Sequence, residues 1–214
     1  MNYSLLIKFS KEEFIDQLQK EGKLYCNSLR YFRELENDHY IGDPNEGKTD
    51  IKQVKCLEIF IGEEKIAFAS NAQIYPNNYT IGNVFCLYGF PTSDLDLTTN
   101  ELQKVSLEIE AERLEDFALI IFDTVEFLRR LEKRLSELNI ENQMCPVQYR
   151  DFNKHEGKLG PFIKSDKYKS QNEVRVWIPR QSDDKFEVYI GDISDISYKC
   201  RKENLENLKM EVLI

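Results

Sequence analysis

The chain has 214 residues, 41% of them hydrophobic and 12% aromatic, which is enough for a folded domain with a real core and too apolar for a disordered chain. Its formal net charge of −9, with an isoelectric point near 5.0, excludes broad, sequence-independent DNA binding, because that needs a basic footprint. Five scattered cysteines and two histidines (His39 and His155) form no CxxC and no Cys/His cluster, which argues against a zinc site or a disulfide scaffold. The opening MNYSLLIKFS becomes charged too soon for a secretory leader, and no apolar run approaches the roughly 20 residues that span a bilayer. The expectation is a reduced, cytoplasmic protein with no membrane partner. A small anionic ligand or a specific RNA remains compatible with the charge.

In chain order, Tyr3–Phe9 reads as a short apolar strand. Ser10 is the predicted cap of a helix, with Glu13 completing a capping box and Phe14, Ile15 and Leu18 as the apolar stripe. Gly22 ends that helix, and Lys23–Phe32 returns as a strand. The segment Glu34–Asp50 is polar and rich in turn formers, so it reads as a long loop of the kind that often carries function. Ile51–Phe60 and Lys65–Ser70 form a hairpin around Gly62-Glu63-Glu64, Asn71–Tyr79 is a loop, and Ile81–Phe90 is a buried strand.

A polar connector at about 91–104 follows. Ala118–Phe122 is a compact strand. Asp123 then caps the longest helix, about Thr124 to Leu138, with Val125, Leu128, Leu131, Leu135 and Leu138 on one face and Glu126 one turn before Arg130. Further strands are predicted at Pro146–Phe152, Lys169–Ile178, Lys185–Ile190, Ser197–Cys200 and Lys209–Leu213, with a loop at Asn153–Gly160 and a turn or short helix at Lys202–Leu208. About ten strands and two main helices that do not alternate imply a single α+β domain over 1–214, with mixed, largely antiparallel sheets.

Three constellations could carry chemistry. The first is Lys164, Tyr168, Gln171, Glu173 and Arg175. In KSQNEVRVWI, Val174, Val176 and Ile178 alternate with Glu173, Arg175 and Trp177, so Gln171 and Glu173 are predicted to share one strand face. An amide and a carboxylate so placed can orient a nucleophile and stabilise a developing cation; the plainer reading is a solvated strand. The second is Asp43, Asn45 and Glu46, three oxygen side chains that could meet a divalent cation or a ligand, although Asp-Pro-Asn-Glu-Gly is also good turn chemistry and lacks EF-hand spacing. The third is Lys8, Ser28 and Arg30 on the two opening strands, where a cation could hold a phosphate; a lysine snorkelling at a sheet edge is the plainer reading of Lys8. Cys26 reads as a buried structural thiol.

Taken in order, LLIKF, the capped helix, GKLYCNSLRYFRELENDHYIGDPNEG and the late KSQNEVRVWI resemble a bacterial and phage family. Its members open strand–helix–strand, carry an Asn-Asp-Pro-x-Glu-like loop and close with a Gln-x-Glu-x-Arg strand. That family is similar in turn to the ADP-ribosyltransferase superfamily. The resemblance implies an ADP-ribosyltransferase-like core with NAD as substrate and a protein or RNA target, in phage–host conflict or a toxin system. It also implies a cleft between the opening strands and the Gln171–Trp177 strand.

Carried over by position, Glu173 would stabilise the oxocarbenium-like transition state as nicotinamide leaves, and Gln171 would orient the acceptor. Lys8 stands where transferases prefer arginine or histidine, and Ser28 is the nearest second-strand hydroxyl. Arg30, Asp43, Glu46, Lys164, Tyr168 and Arg175 are the remaining nucleotide-binding candidates. The Asp43–Gly47 loop matches only the looser family. Two other expectations stand beside this one. The first is a non-enzymatic module of the same fold that binds a nucleotide signal or sequesters a partner. The second is an acidic protein that uses its charge to meet a basic surface.

Overall fold

Alternation in the first segment serves two faces of a sheet: in β1 (Tyr3–Ser10), Leu6 turns to one side while Leu5 and Ile7 turn to the other. The computed structural model describes residues 3–35, 42–107 and 115–212. Helix α1 (Glu12–Glu21) follows, but Ser10 does not cap it. Ser10 stays in the ladder opposite Phe117, so Lys11 takes the cap position without a side-chain bond. Gly22 ends the helix as predicted, at φ 60°; a Cβ there would lie 2.1 Å from the Gly191 carbonyl oxygen.

Strand β2 (Lys23–Ser28) is shorter than the predicted Lys23–Phe32. The Ser28 hydroxyl accepts from the Tyr31 N–H at 3.1 Å and starts helix α2 (Leu29–Glu34). Arg30 therefore sits on a helix and not on the strand face. Residues 36–41 of the predicted Glu34–Asp50 loop, His39 among them, lie outside the described residues.

The predicted hairpin is present and longer, as β3 (Asp50–Ile61) and β4 (Glu64–Ile74). Lys52 to Val54 offer partners that draw Ala72–Ile74 out of the predicted loop into the ladder. Strand β5 (Asn83–Pro91) is the buried strand, and β6 (Leu102–Lys104) lies within the polar connector. After β7 (Phe117–Ile121), Asp123 caps α3 (Thr124–Glu137) by accepting from the Glu126 N–H at 2.9 Å. The buried face of α3 is Phe127, Leu131 and Leu135, whereas Val125 is 74% exposed and Leu138 lies off the stripe. The larger Phe127 sets the rotation. Burial of these three side chains is worth about 5–9 kcal/mol before ordering costs.

The predicted Pro146–Phe152 strand splits into β8 (Gln143–Pro146) and β9 (Gln148–Arg150), because the intervening Val147 N–H turns to the Glu173 carbonyl. The chain then runs through β10 (Gly157–Lys158), β11 (Ile163–Ser165), β12 (Glu173–Ile178), β13 (Phe186–Tyr189), β14 (Ser197–Arg201) and β15 (Lys209–Glu211). Strand β12 begins only at Glu173. Asp166–Gln171 is a 3-10 helix, and Asn172 at φ 38° turns the chain into the strand. Gln171 is thus not on the strand face shared by Glu173.

The main sheet runs β13-β2-β5-β1-β7-β14, with β12 and then β8 on the other edge of β5. Its ladders are antiparallel, and β9 with β11 forms a small parallel pair, so the fold is α+β with largely antiparallel sheets. One face of the sheet carries Leu6, Phe85, Leu87, Leu119 and Val174 against α1 and α3. The opposite face carries Leu5, Ile7, Tyr88 and Ile120 with Val105 and Leu205.

Strand β5 places the site. One of its edges pairs with β12 from Asn83 to Tyr88. Its other edge pairs with β2 at Asn83 and Val84, and with β1 from Tyr88 to Pro91. Between them, at Phe85–Leu87, that edge faces a fork. Past Ile7, β1 leaves with β7; before Asn27, β2 runs with β13.

Candidate functional site

Two arrangements stand on either side of β5. The first is a buried ionic cluster built on β12. Because Val174 and Val176 face the helix-side core, Glu173 and Arg175 must face the other way. There the Asp43–Glu46 turn and β11 close over them. The turn is self-bonded: the Asn45 N–H donates to the Asp43 carboxylate at 2.9 Å, and the Glu46 N–H to the Asp43 carbonyl at 2.8 Å.

The Arg175 guanidinium grips Glu46 with two bonds of 2.7 Å and donates to the Pro161 carbonyl and to Glu173 at 2.6 Å each. Lys164 donates to Glu173 at 3.0 Å and to the Gln171 side chain at 2.8 Å. The Tyr168 hydroxyl donates to the Gly42 carbonyl, and the Glu173 N–H to the Tyr149 hydroxyl. Asp43, Glu46, Lys164, Glu173 and Arg175 are all buried.

Charges so deeply buried persist only when paired. Burial alone would push the Glu173 carboxyl up, but Arg175 and Lys164 outweigh it and hold the group well below the usual carboxylate range. Burial would likewise lower Lys164, yet Glu173 keeps it raised. Asp43 is pushed up, by burial first and by Glu46 second. Burial with the Glu173 charge also raises the Cys86 thiol, which meets the Glu173 carboxylate. Both Glu173 oxygens are therefore engaged, and the carboxylate is fixed as an anion inside protein.

The second arrangement is a cleft of about 370 Å³ in the fork between β1 and β2. Phe85 lies at the fork, with Lys8 and Ser10 from β1 and Tyr25 and Asn27 from β2. Phe14 of α1 and Tyr31 of α2 add two exposed rings, with Lys23 and Leu18 beside them, and among the described residues the lining includes no carboxylate.

At the fork β5 has no strand partner on that edge among the described residues, and Lys8 meets it instead: its ammonium donates to the Cys86 carbonyl at 2.9 Å and lies 4.8 Å from the Phe85 ring centre. Among the described residues no carboxylate pairs with Lys8. Lys23 meets Glu187 at 3.3 Å, and Lys185 lies over the Tyr25 ring. Cys26, inside the core, has its thiol pushed up to about 12 by burial and is not a nucleophile at neutral pH.

The structure therefore does not bring the predicted residues to one hollow. Lys164, Tyr168, Gln171, Glu173 and Arg175 do assemble with Asp43 and Glu46, but in a closed cluster. Lys8 stands on the Leu6 side of the sheet and Glu173 on the Ile7 and Tyr88 side, with the β5 backbone between them. Cys86 offers its carbonyl to Lys8 and its thiol to Glu173. The Ser28 hydroxyl is occupied in capping α2, and Arg30 is exposed and paired with Glu34 and Asp183.

Sequence reasoning missed Phe14, Lys23, Tyr25, Asn27, Tyr31 and Phe85. The available signal was Tyr25 and Asn27 alternating with the buried Leu24 and Cys26 on a strand next to Lys8. Among the described residues no group of three or more His, Cys, Asp or Glu side chains is placed to hold a metal, and no helix is long and apolar enough to cross a membrane. No protein-family model, curated protein or solved structure matches this chain.

Proposed function

We propose that this chain is a non-enzymatic binding module whose ligand is a nucleotide signal held in the β1–β2 fork. The observation that carries this reading is the fork itself: among the described residues, a strand edge met only by Lys8, no carboxylate partner for that lysine, and aromatic rings on a lining without a carboxylate. Cation and rings in one concavity suit a ligand with a phosphate and a planar base. The cleft volume lies at the low end of the roughly 300–1,000 Å³ typical of ligand sites, which favours a single nucleotide unit over a dinucleotide. The Glu173 cluster on the far side of β5 acts as an internal clamp that ties the Asp43–Glu46 turn to the sheet.

ADP-ribosyl transfer from NAD is the second reading. What favours it is that Lys164 holds the Gln171 amide and the Glu173 carboxylate side by side. For turnover, Glu173 would have to leave both Arg175 and Lys164 and reach a ligand through the Asp43–Glu46 turn.

Calorimetric titration with AMP, cyclic AMP and NAD, followed by assay of the NAD sample for free nicotinamide, separates the readings. The expected result is saturable heat with at least one of them, weakened at least about tenfold in Lys8→Met, with NAD left intact. Release of nicotinamide by the wild type but not by Glu173→Gln would establish the transferase reading instead, and silence with all three would remove the nucleotide from the fork.

A further inference from the structure

A second group of cations lies outside both the ionic cluster and the fork. Arg33 stands in the last turn of α2, with its guanidinium 3.9 Å from the Tyr79 ring centre and donating to the Glu46 carbonyl at 3.1 Å. The Lys48 ammonium lies 3.8 Å from the Tyr75 ring centre. An isolated antiparallel bridge sets Lys48 directly opposite Tyr79. Residues so paired send their side chains to the same side, with Cβ atoms about 4.5–5.5 Å apart. Arg33 and Lys48 therefore meet at one tyrosine.

Both cations are half-buried, and among the described residues neither makes an ion pair with a carboxylate. By contrast, the half-buried Lys23, Arg130 and Lys199 each hold one. The chain has 38 acidic side chains against 29 basic ones, so acids are not in short supply. Burial first, and the Arg33 charge second, hold the Lys48 ammonium below its ordinary value. Asp43 acts the other way, but its carboxylate is buried and already accepts from the Asn45 N–H at 2.9 Å. Two neighbouring cations thus repel each other with no anion between them.

The frame that holds them is fixed. The Lys48 N–H donates to the Asn45 carbonyl at 3.1 Å, and the Lys48 carbonyl accepts from the Gly160 N–H at 3.0 Å. The Thr80 N–H donates to the Gly47 carbonyl at 2.6 Å. Glu46, whose carbonyl steadies Arg33, is itself gripped by Arg175. Little ordering is then left for a ligand to impose.

We infer that Arg33 and Lys48 form an anion site that takes a phosphate group, with Tyr75 and Tyr79 as its walls. A phosphate monoester carries close to two negative charges at pH 7 and balances both cations, whereas a carboxylate balances one. The guanidinium offers directed N–H donors and the ammonium a compact point charge, a combination that suits a tetrahedral oxyanion. The phosphate is either free or the terminal group of a nucleotide, and the chemistry that binds it is the same. This inference does not depend on the nucleotide reading of the fork, from whose lining all four residues are absent.

The test follows amide and Lys48 Nζ shifts of the full chain at constant ionic strength. Inorganic phosphate, AMP and adenosine are titrated separately into wild type and Lys48→Met. The expected result is saturable movement at Arg33, Lys48, Tyr75 and Tyr79 with phosphate or AMP and none there with adenosine. Tighter binding of phosphate marks a free anion as the ligand, and tighter binding of AMP marks a nucleotide. Lys48→Met should keep its melting curve and bind at least about tenfold more weakly. On saturation of the wild type the Lys48 ammonium should become harder to deprotonate, a change that a purely structural lysine would not show. Linear drift without saturation, equal movement with adenosine, or unchanged affinity in Lys48→Met overturns the inference.

Discussion

Replacing Arg175 with methionine tests the ionic cluster most severely. The guanidinium makes five of the cluster's bonds: two to Glu46, two to Glu173 and one to the Pro161 carbonyl. Methionine fills similar space and supplies no charge. Glu173 would keep Lys164 at 3.0 Å, but Glu46 would be left with the same ammonium at 3.9 Å, so roughly one buried carboxylate loses its compensation. Breaking a buried pair by removing one partner costs about 3–5 kcal/mol.

For a chain of this size that is a fall of about 6–20 °C in melting temperature. Urea unfolding at pH 7 gives the free energy, and a melting curve gives the shift. The deficit should narrow in acid, where a stranded carboxylate can take a proton. A loss below about 1 kcal/mol would be the value for a solvated pair, and it would refute the claim that these charges are sealed between β12 and the Asp43–Glu46 turn.

Other outcomes follow from single contacts. Lys8→Met should weaken binding of an anionic nucleotide by about 10- to 150-fold, the value of a charge-assisted bond, read by calorimetry, and should cost about 1 kcal/mol of stability because the Cys86 carbonyl loses its donor. Asp123→Ala should cost about 1 kcal/mol in urea unfolding, because the Glu126 N–H loses its acceptor. Gly22→Ala should destabilise by at least about 1–3 kcal/mol, since φ 60° is strained for alanine and its Cβ would meet the Gly191 backbone.

In acid the sign is set by Glu173. Its folded carboxyl is held below the unfolded value of 4.5, so its contribution is complete above that pH and is lost as pH falls below it. Asp43 is shifted the other way and costs stability once ionised, a cost that vanishes in acid. Glu173→Gln should therefore flatten the fall in stability below about pH 4.5.

Local signals carried far in this sequence. The Asp123 cap, the Gly22 terminus, the hairpin and the alternation of Val174, Val176 and Ile178 were all legible, because caps, turns and strand periods act over a few residues. Failures arose where tertiary structure outvoted a local signal. Ser10 reads as a cap but is held by a ladder to Phe117, and Ser28 reads as mid-strand but caps α2. Val125 and Leu138 fit a helical stripe, yet the core chose Phe127.

The members of the ionic cluster were legible in the sequence, but of the fork only Lys8 was. Sequence could name Lys164, Glu173 and Arg175 as one group and Asp43 and Glu46 as another, but not that the two join. It could not show that β1 and β2 meet the same edge of β5 and diverge. That topology puts Lys8 across a strand from Glu173 and creates the cleft at Phe85.

Backbone amide shifts recorded during titration with AMP, cyclic AMP and NAD test the central claim most directly. The account predicts that shifts move with ligand around Lys8, Ser10, Tyr25, Asn27, Tyr31 and Phe85, and stay fixed around Lys164, Glu173 and Glu46. Shifts centred on the Glu173 cluster, with the fork unmoved, would contradict it.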